Sequence, residues 1–145
     1  MSEGDLHKRL VQGLVTHVRQ RRSGSWNVFL DSRNEAEFFA SSPILGSACP
    51  DLYAREHLVN HLVIGEAKTA LDLENSHTEK QLVEYFSHLS EQNSSELIMA
   101  VPLMCAGAAH RLCRAARTKC SAERVPFEIT GWMFGAKPKY EVWRG

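Results

Sequence analysis

From Leu58 to Lys68 the chain reads Leu-Val-Asn-His-Leu-Val-Ile-Gly-Glu-Ala-Lys, apolar without interruption from Leu62 to Ile64. A strand with one face in water alternates apolar and polar side chains, whereas a continuous apolar run needs cover on both faces. The segment 58–68 is therefore expected to be a strand near the middle of a sheet. Glu66 and Lys68 close that strand. Side chains two apart on a strand point to the same face, so the carboxylate and the ammonium project together. Charges on so buried an element are unfavourable unless something pairs with them.

The flanking segments supply the layers. Leu6, Leu10, Val11, Leu14, Val15 and Val18 recur at helical spacing, ended by Arg19 to Arg22 and the break Ser23-Gly24-Ser25. Trp26 to Leu30 is β-prone, and Asn34 to Cys49 is ambiguous, read as a short helix followed by a loop. Ser76 to Glu79 has the S-x-x-E form of a capping box. Behind it, Leu82, Val83, Phe86 and Leu89 give a helix a core-facing stripe. Leu97 to Met104 reads as a buried strand, Cys105 to Ala122 as a helix, Val125 to Phe134 as a strand, and Tyr140 to Trp143 as a short edge strand. Strand-helix-strand alternation after an initial meander predicts an α/β fold, a central mixed sheet with helices on both sides.

At 145 residues this is the size of one domain spanning 1–145. No apolar run is long enough for a bilayer, and Met1 to Arg22 lacks the features of a secretory signal, so the expectation is a cytoplasmic protein without membrane association. Lysine plus arginine equal aspartate plus glutamate, which argues against coating nucleic acid by bulk attraction. A nucleic-acid enzyme stays open, because acidic metal ligands offset basic contacts in such a count. Cys105, Cys113 and Cys120, with Ala108, Leu112 and Ala116 between them, read as small buried residues on one helical face; their spacing does not suit an iron–sulfur cluster. The histidines show no zinc-hydrolase spacing, and no glycine-rich phosphate loop exists. Arg111, Arg114 and Arg117 form a stripe that reads first as a solvated face. Trp26, Trp132 and Trp143 read as core or edge packing.

Asp51 follows Pro50, fifteen residues before Glu66. If Tyr53 to His57 opens a turn and the chain returns along 58–68, a hairpin sets Asp51 beside Glu66. Two adjacent carboxylates repel, which raises one pKa unless a cation lies between them. A hard ion such as Mg²⁺ takes one or two carboxylates, waters and substrate phosphate. Lys68 alongside would hold an attacking water or the scissile phosphate. The chemistry implied is metal-assisted hydrolysis of a phosphodiester.

Pro50-Asp51 followed by Gly65-Glu66-Ala67-Lys68 resembles the PD-(D/E)XK nuclease superfamily. Gln81 and Tyr85 form a Q-x-x-x-Y on one helical face, similar to the branch that holds phage lambda exonuclease and the nuclease domains of RecBCD-type helicase–nucleases. The resemblance implies a restriction-endonuclease-like core of αβββαβ order, here with a further helix and strand. It implies that Asp51 and Glu66 bind Mg²⁺ or Mn²⁺ with the carbonyl of Ala67. Lys68 would position water, Gln81 and Tyr85 would orient Lys68 or touch a phosphate, and His7 would be an accessory ligand, with Glu3 as the alternative. The implied substrate is DNA, RNA staying open, and the implied partners are a second copy or a helicase or specificity protein. Two other readings stand beside this one: a nuclease-fold module that binds nucleic acid or protein without catalysis, and a structural protein in which Glu66 and Lys68 form only a surface ion pair.

Overall fold

In the computed structural model, which describes residues 1–21, 25–31 and 40–145, every strand joins one seven-stranded mixed sheet. The elements are α1 (Glu3–Arg21), β1 (Trp26–Leu30), β2 (Ala40–Ser41), β3 (Leu52–Glu56), β4 (His61–Ala67), α2 (Ala70–Glu74), α3 (Ser76–Ser90), β5 (Ser95–Pro102), α4 (Ala106–Lys119), β6 (Phe127–Met133) and β7 (Lys139–Arg144). The sheet order is β2-β1-β3-β4-β5-β6-β7. β4, β5 and β6 run parallel at the centre, while β3 joins β4, β1 joins β3 and β7 joins β6 antiparallel. The sequence expectation of an α/β fold holds at this level. Of the ambiguous segment 34–49, residues 34–39 lie outside the described part, as do Arg22, Ser23 and Gly24 of the break after α1.

β4 is buried at all seven positions, which is what its unbroken apolar run requires. Its side chains alternate between two cores. Leu62 and Ile64 join Leu82, Phe86 and Leu89 of α3 and Ala109, Cys113 and Ala116 of α4 on one face. Val63 and Ala67 join Leu10, Val11, Leu14 and Val18 of α1 on the other. Gly65 lies on the α1 face, where a Cβ would come within 3.1 Å of Leu52 and 3.4 Å of Leu14, so its bare backbone lets α1 approach. α1 extends beyond its apolar stripe at both ends, with Glu3 and Asp5 in the first turn and Arg19 and Arg21 in the last.

Three boundaries differ from expectation for local reasons. Tyr53 to His57 is not a turn: Leu52–Glu56 is strand β3, with Leu52, Ala54 and Glu56 buried in alternation. The turn falls at 57–60, where the Glu56 carboxylate accepts the N–H groups of Leu58 and Val59 at 3.0 Å each and Asn60 takes φ 53°. Leu58 is consequently 84% exposed and β4 starts at His61. The capping box also moves. Asn75, not Ser76, caps α3, accepting from the N–H of His77 at 2.9 Å, and the reciprocal box belongs to Thr69 and Asp72 at the unanticipated α2.

The cysteines are free. Cys113 is buried in α4, Cys105 and Cys120 stand at its two caps, and all three pack with Ala109 and Ala116 on the core under α3, as expected; burial pushes the Cys113 thiol well above its ordinary pKa. The arginine stripe on α4 divides: Arg117 donates to the carbonyl of Val125 at 3.1 Å and lies 4.8 Å over the Phe127 ring, leaving Arg111 and Arg114 on the solvated face. Among the described residues no helix is long and apolar enough to cross a membrane.

A buried polar network closes the end of the sheet where β5 and β6 begin. Arg21, at the last turn of α1, pairs with Glu96 and lies 3.7 Å from Glu128. His61 Nε2 sits 2.6 Å from Glu96, His17 Nε2 2.9 Å from Glu128, and Arg144 Nε 3.0 Å from Glu128. The His17 hydrogen bond, with Arg144 and Arg21, outweighs burial and holds the Glu128 carboxyl down to about 2, against an ordinary 4.5. A depressed carboxyl stabilises the fold above its unfolded pKa and loses that contribution as pH falls through its folded one. We expect Glu128→Gln to flatten the loss of stability between about pH 4.5 and 2. Denaturant titrations across that window check it, and an acid limb as steep as that of the unsubstituted protein would refute it.

Candidate metal centre

Adjacent strands β3 and β4 pair with Leu52 opposite Gly65, so the residues just beyond, Asp51 and Glu66, face each other. The main chain locks them reciprocally. The N–H of Asp51 donates to Glu66 Oε1 at 3.0 Å, and the N–H of Ala67 donates to Asp51 Oδ2 at 2.8 Å. Both side chains are nearly buried, Asp51 at 6% and Glu66 at 3% exposure. The two carboxylates are thus neighbours on the α3 side of the sheet, at the end of β4 where its apolar run stops.

Lys68 follows on the same face. Its Nζ lies 3.1 Å from Glu66 Oε2 and donates to Gln81 Oε1 at 2.6 Å. Tyr85, one turn after Gln81 on α3, is fully buried and directs its hydroxyl at Glu66 Oε2 from 3.5 Å, at the long limit for a hydrogen bond. α3 presents both because Leu82, Phe86 and Leu89 fix the helix against the sheet, and residues 81 and 85 share one edge of that contact. From the opposite side, the first turns of α1 bring His7 Nε2 to 3.3 Å from Asp51 Oδ1.

Burial pushes the Glu66 carboxyl up to about 8, and the charge of Asp51 adds to that shift while Lys68 opposes it. The single ammonium therefore leaves the carboxylate pair undercompensated. Burial also raises the Tyr85 phenol, and the nearby Glu66 raises it further, so it stays a neutral donor.

These groups line one open cleft of about 370 Å³, shared with Glu3, Gly4, Asp31, Cys49, Thr69 and Asp72. All seven residues expected at a site are thereby placed: Asp51, Glu66, Ala67, Lys68, Gln81 and His7 line the cleft, and Tyr85 stands behind Glu66. Glu3, the alternative to His7, lines it too. A surface ion pair does not describe Glu66 and Lys68, whose side chains are 4% and 12% exposed. Asp31 was not anticipated. It is 3% exposed, directly follows β1, and its N–H donates to the carbonyl of Asp51 at 3.1 Å. The signal for it is the apolar run Val28-Phe29-Leu30 followed at once by an acid, much as Leu62-Val63-Ile64-Gly65 is followed by Glu66.

The donor set suits a hard divalent ion in one respect and departs from a preformed cage in another. Two buried carboxylates are what Mg²⁺ commonly takes from a protein, with water and substrate completing the shell. Among the described residues, no group of three or more His, Cys, Asp or Glu side chains is arranged to hold a metal. His7 meets Asp51 directly, Nε2 to Oδ1 at 3.3 Å. Comparison of the chain with protein-family models, curated proteins and solved structures gave no match.

Proposed function

We propose that this chain is a metal-dependent nuclease of the PD-(D/E)XK kind, hydrolysing phosphodiester bonds of DNA on a restriction-endonuclease-like sheet. The observation that carries the proposal is the meeting of Asp51, Glu66 and Lys68 in one cleft, with Gln81 and Tyr85 behind them. Asp51, Glu66 and the Ala67 carbonyl would hold Mg²⁺ or Mn²⁺. Such an ion polarises a phosphoryl oxygen and lowers the pKa of bound water.

The protein groups divide the remaining work. Lys68, restrained by Glu66 and Gln81, keeps its ammonium in the cleft, where it hydrogen-bonds the attacking water and stabilises charge developing on the phosphate. Gln81 selects the Lys68 rotamer. Tyr85 supports the Glu66 carboxylate from the buried side, and His7 orients Asp51. Severing duplex DNA would take a second copy or a partner that presents both strands in turn.

The absence of a three-side-chain metal group among the described residues favours a second reading, a binding module of the same fold without catalysis. Incubation with Mn²⁺ and single- and double-stranded DNA and RNA separates the two. Cleaved DNA supports the nuclease; substrates left intact at saturating Mn²⁺ overturn it.

A further inference from the structure

We propose that the groove between the outer face of α1 and the β6–β7 hairpin is a stacking site for an unpaired base of a single-stranded polynucleotide. The proposal takes from the nuclease reading only the expectation that the bound strand is also the substrate. The groove is larger than the acidic cleft, about 610 Å³.

Its floor is a ladder of three nearly parallel rings. Trp132 stacks on Tyr140 of the paired strand at 4.2 Å between centroids and 18° between planes, and on Phe134 at 5.6 Å and 13°. The ladder is anchored from below. The Trp132 indole fills the space left by Gly13 of α1, where a Cβ would stand 2.6 Å from Cζ2, and its Nε1 donates to Thr130 Oγ1 at 2.9 Å. Trp132 itself is buried and Tyr140 is held from the helix side by His17, its hydroxyl 3.0 Å from Nδ1, while Phe134 and Tyr140 are both partly exposed along the groove. A rigid, partly open stack gives a planar ligand a binding surface that needs no further ordering.

The walls select the ligand. Arg9 holds its guanidinium 5.9 Å over the Phe134 ring, close to where a stacked base would lie. Being on the exposed face of α1, it can turn its fork to a phosphate when a base takes that place. Gln12, Thr16 and Gln20 complete the helix side with amide and hydroxyl groups, able to donate to or accept from base edges. None of the described residues lining the groove is acidic. A purely apolar ligand would make no use of those polar groups. An anionic strand of flat bases satisfies ring, amide and cation together, the combination by which proteins hold single strands.

One helix thereby serves two sites. His7 reaches the acidic cleft, while Arg9, two residues on and about 200° further round α1, faces the groove. A strand leaving the cleft would cross the first turns of α1 to reach the ladder.

The test is fluorescence anisotropy in EDTA, so that nothing is cut, with labelled oligothymidylate, oligouridylate and an abasic strand of equal length. Phe134→Ala should weaken oligothymidylate binding by about fivefold to a hundredfold, the range for one base on an aromatic ring. Arg9→Ala should weaken it several-fold. On the abasic strand the Phe134→Ala loss should vanish, which a merely structural role for the ring does not predict. Circular dichroism checks the fold; should Phe134→Ala fail to fold, Arg9→Ala and the contrast between base-bearing and abasic strands on the unsubstituted protein decide. Equal affinity for those two strands, or variants that bind as tightly as the unsubstituted protein, would overturn the site. Preference for oligothymidylate assigns DNA as the ligand, and preference for oligouridylate assigns RNA. Base-dependent binding without Mn²⁺-supported cleavage would leave this site standing and remove the nuclease reading; cleavage without base-dependent binding would do the reverse.

Discussion

Replacing Asp51 with Asn, Glu66 with Gln or Lys68 with Ala is expected to lower Mn²⁺-supported DNA cleavage by on the order of 10²–10³ each, the loss that follows removal of one charge-stabilising group. The first two changes keep shape and remove charge. Asn at 51 still offers a carbonyl oxygen to the N–H of Ala67, and Gln at 66 still accepts from the N–H of Asp51, so the β3–β4 register survives. Removing the Glu66 charge also relieves its conflict with Asp51, so Glu66→Gln should fold at least as well as the unsubstituted protein. Loss of activity with retained stability is therefore the signature to seek. Single-turnover rates beside denaturation midpoints for each variant measure both halves. Variants that keep full cleavage would remove these residues from the chemistry.

The largest expected effect on stability lies at Phe86. Its side chain is fully buried between the sheet and α4, meeting Phe127 edge-on at 6.2 Å and 74°. Phe86→Ala is expected to cost about 3–5 kcal/mol through lost burial and the cavity left behind. In a chain of this size that lowers the melting midpoint by roughly 10–20 °C. The effect reaches function because the same contact fixes α3, which carries Gln81 to Lys68 and Tyr85 to Glu66. Cleavage per folded molecule should fall as well, and Phe86→Leu, which refills most of the volume, should recover both. Calorimetric melting with cleavage rates below the transition tests this. A Phe86→Ala protein that melts within a few degrees of the unsubstituted one would show that α3 is held by other contacts.

Much of this arrangement could be read from the residues, and the parts that could not share a cause. β4 was legible because no alternation meant cover on two faces, and burial on both sides is what its neighbours supply. α1, α3 and α4 were legible from period. The meeting of Asp51 with Glu66 required only that 51 and 66 lie symmetrically about a hairpin turn, although the turn sits at 57–60 rather than 53–57. Leu58 and Val59 look like strand residues, and the Glu56 carboxylate that bonds their N–H groups and makes the turn acts from outside them. Asp31 is visible locally only as an acid after an apolar run; that it lies beside Asp51 depends on which strand β1 pairs with. The network of Arg21, His17, His61, Glu96 and Glu128 joins residues up to 111 positions apart, beyond any local pattern. Sheet order, not sequence spacing, creates it.

Anomalous diffraction from crystals soaked in Mn²⁺ shows directly whether Asp51 and Glu66 hold a divalent ion between them. A peak is expected about 2.0–2.6 Å from a carboxylate oxygen of each residue, lost in Asp51→Asn crystals soaked alike. A cleft without a peak at saturating Mn²⁺, or a peak that persists in Asp51→Asn, would contradict it.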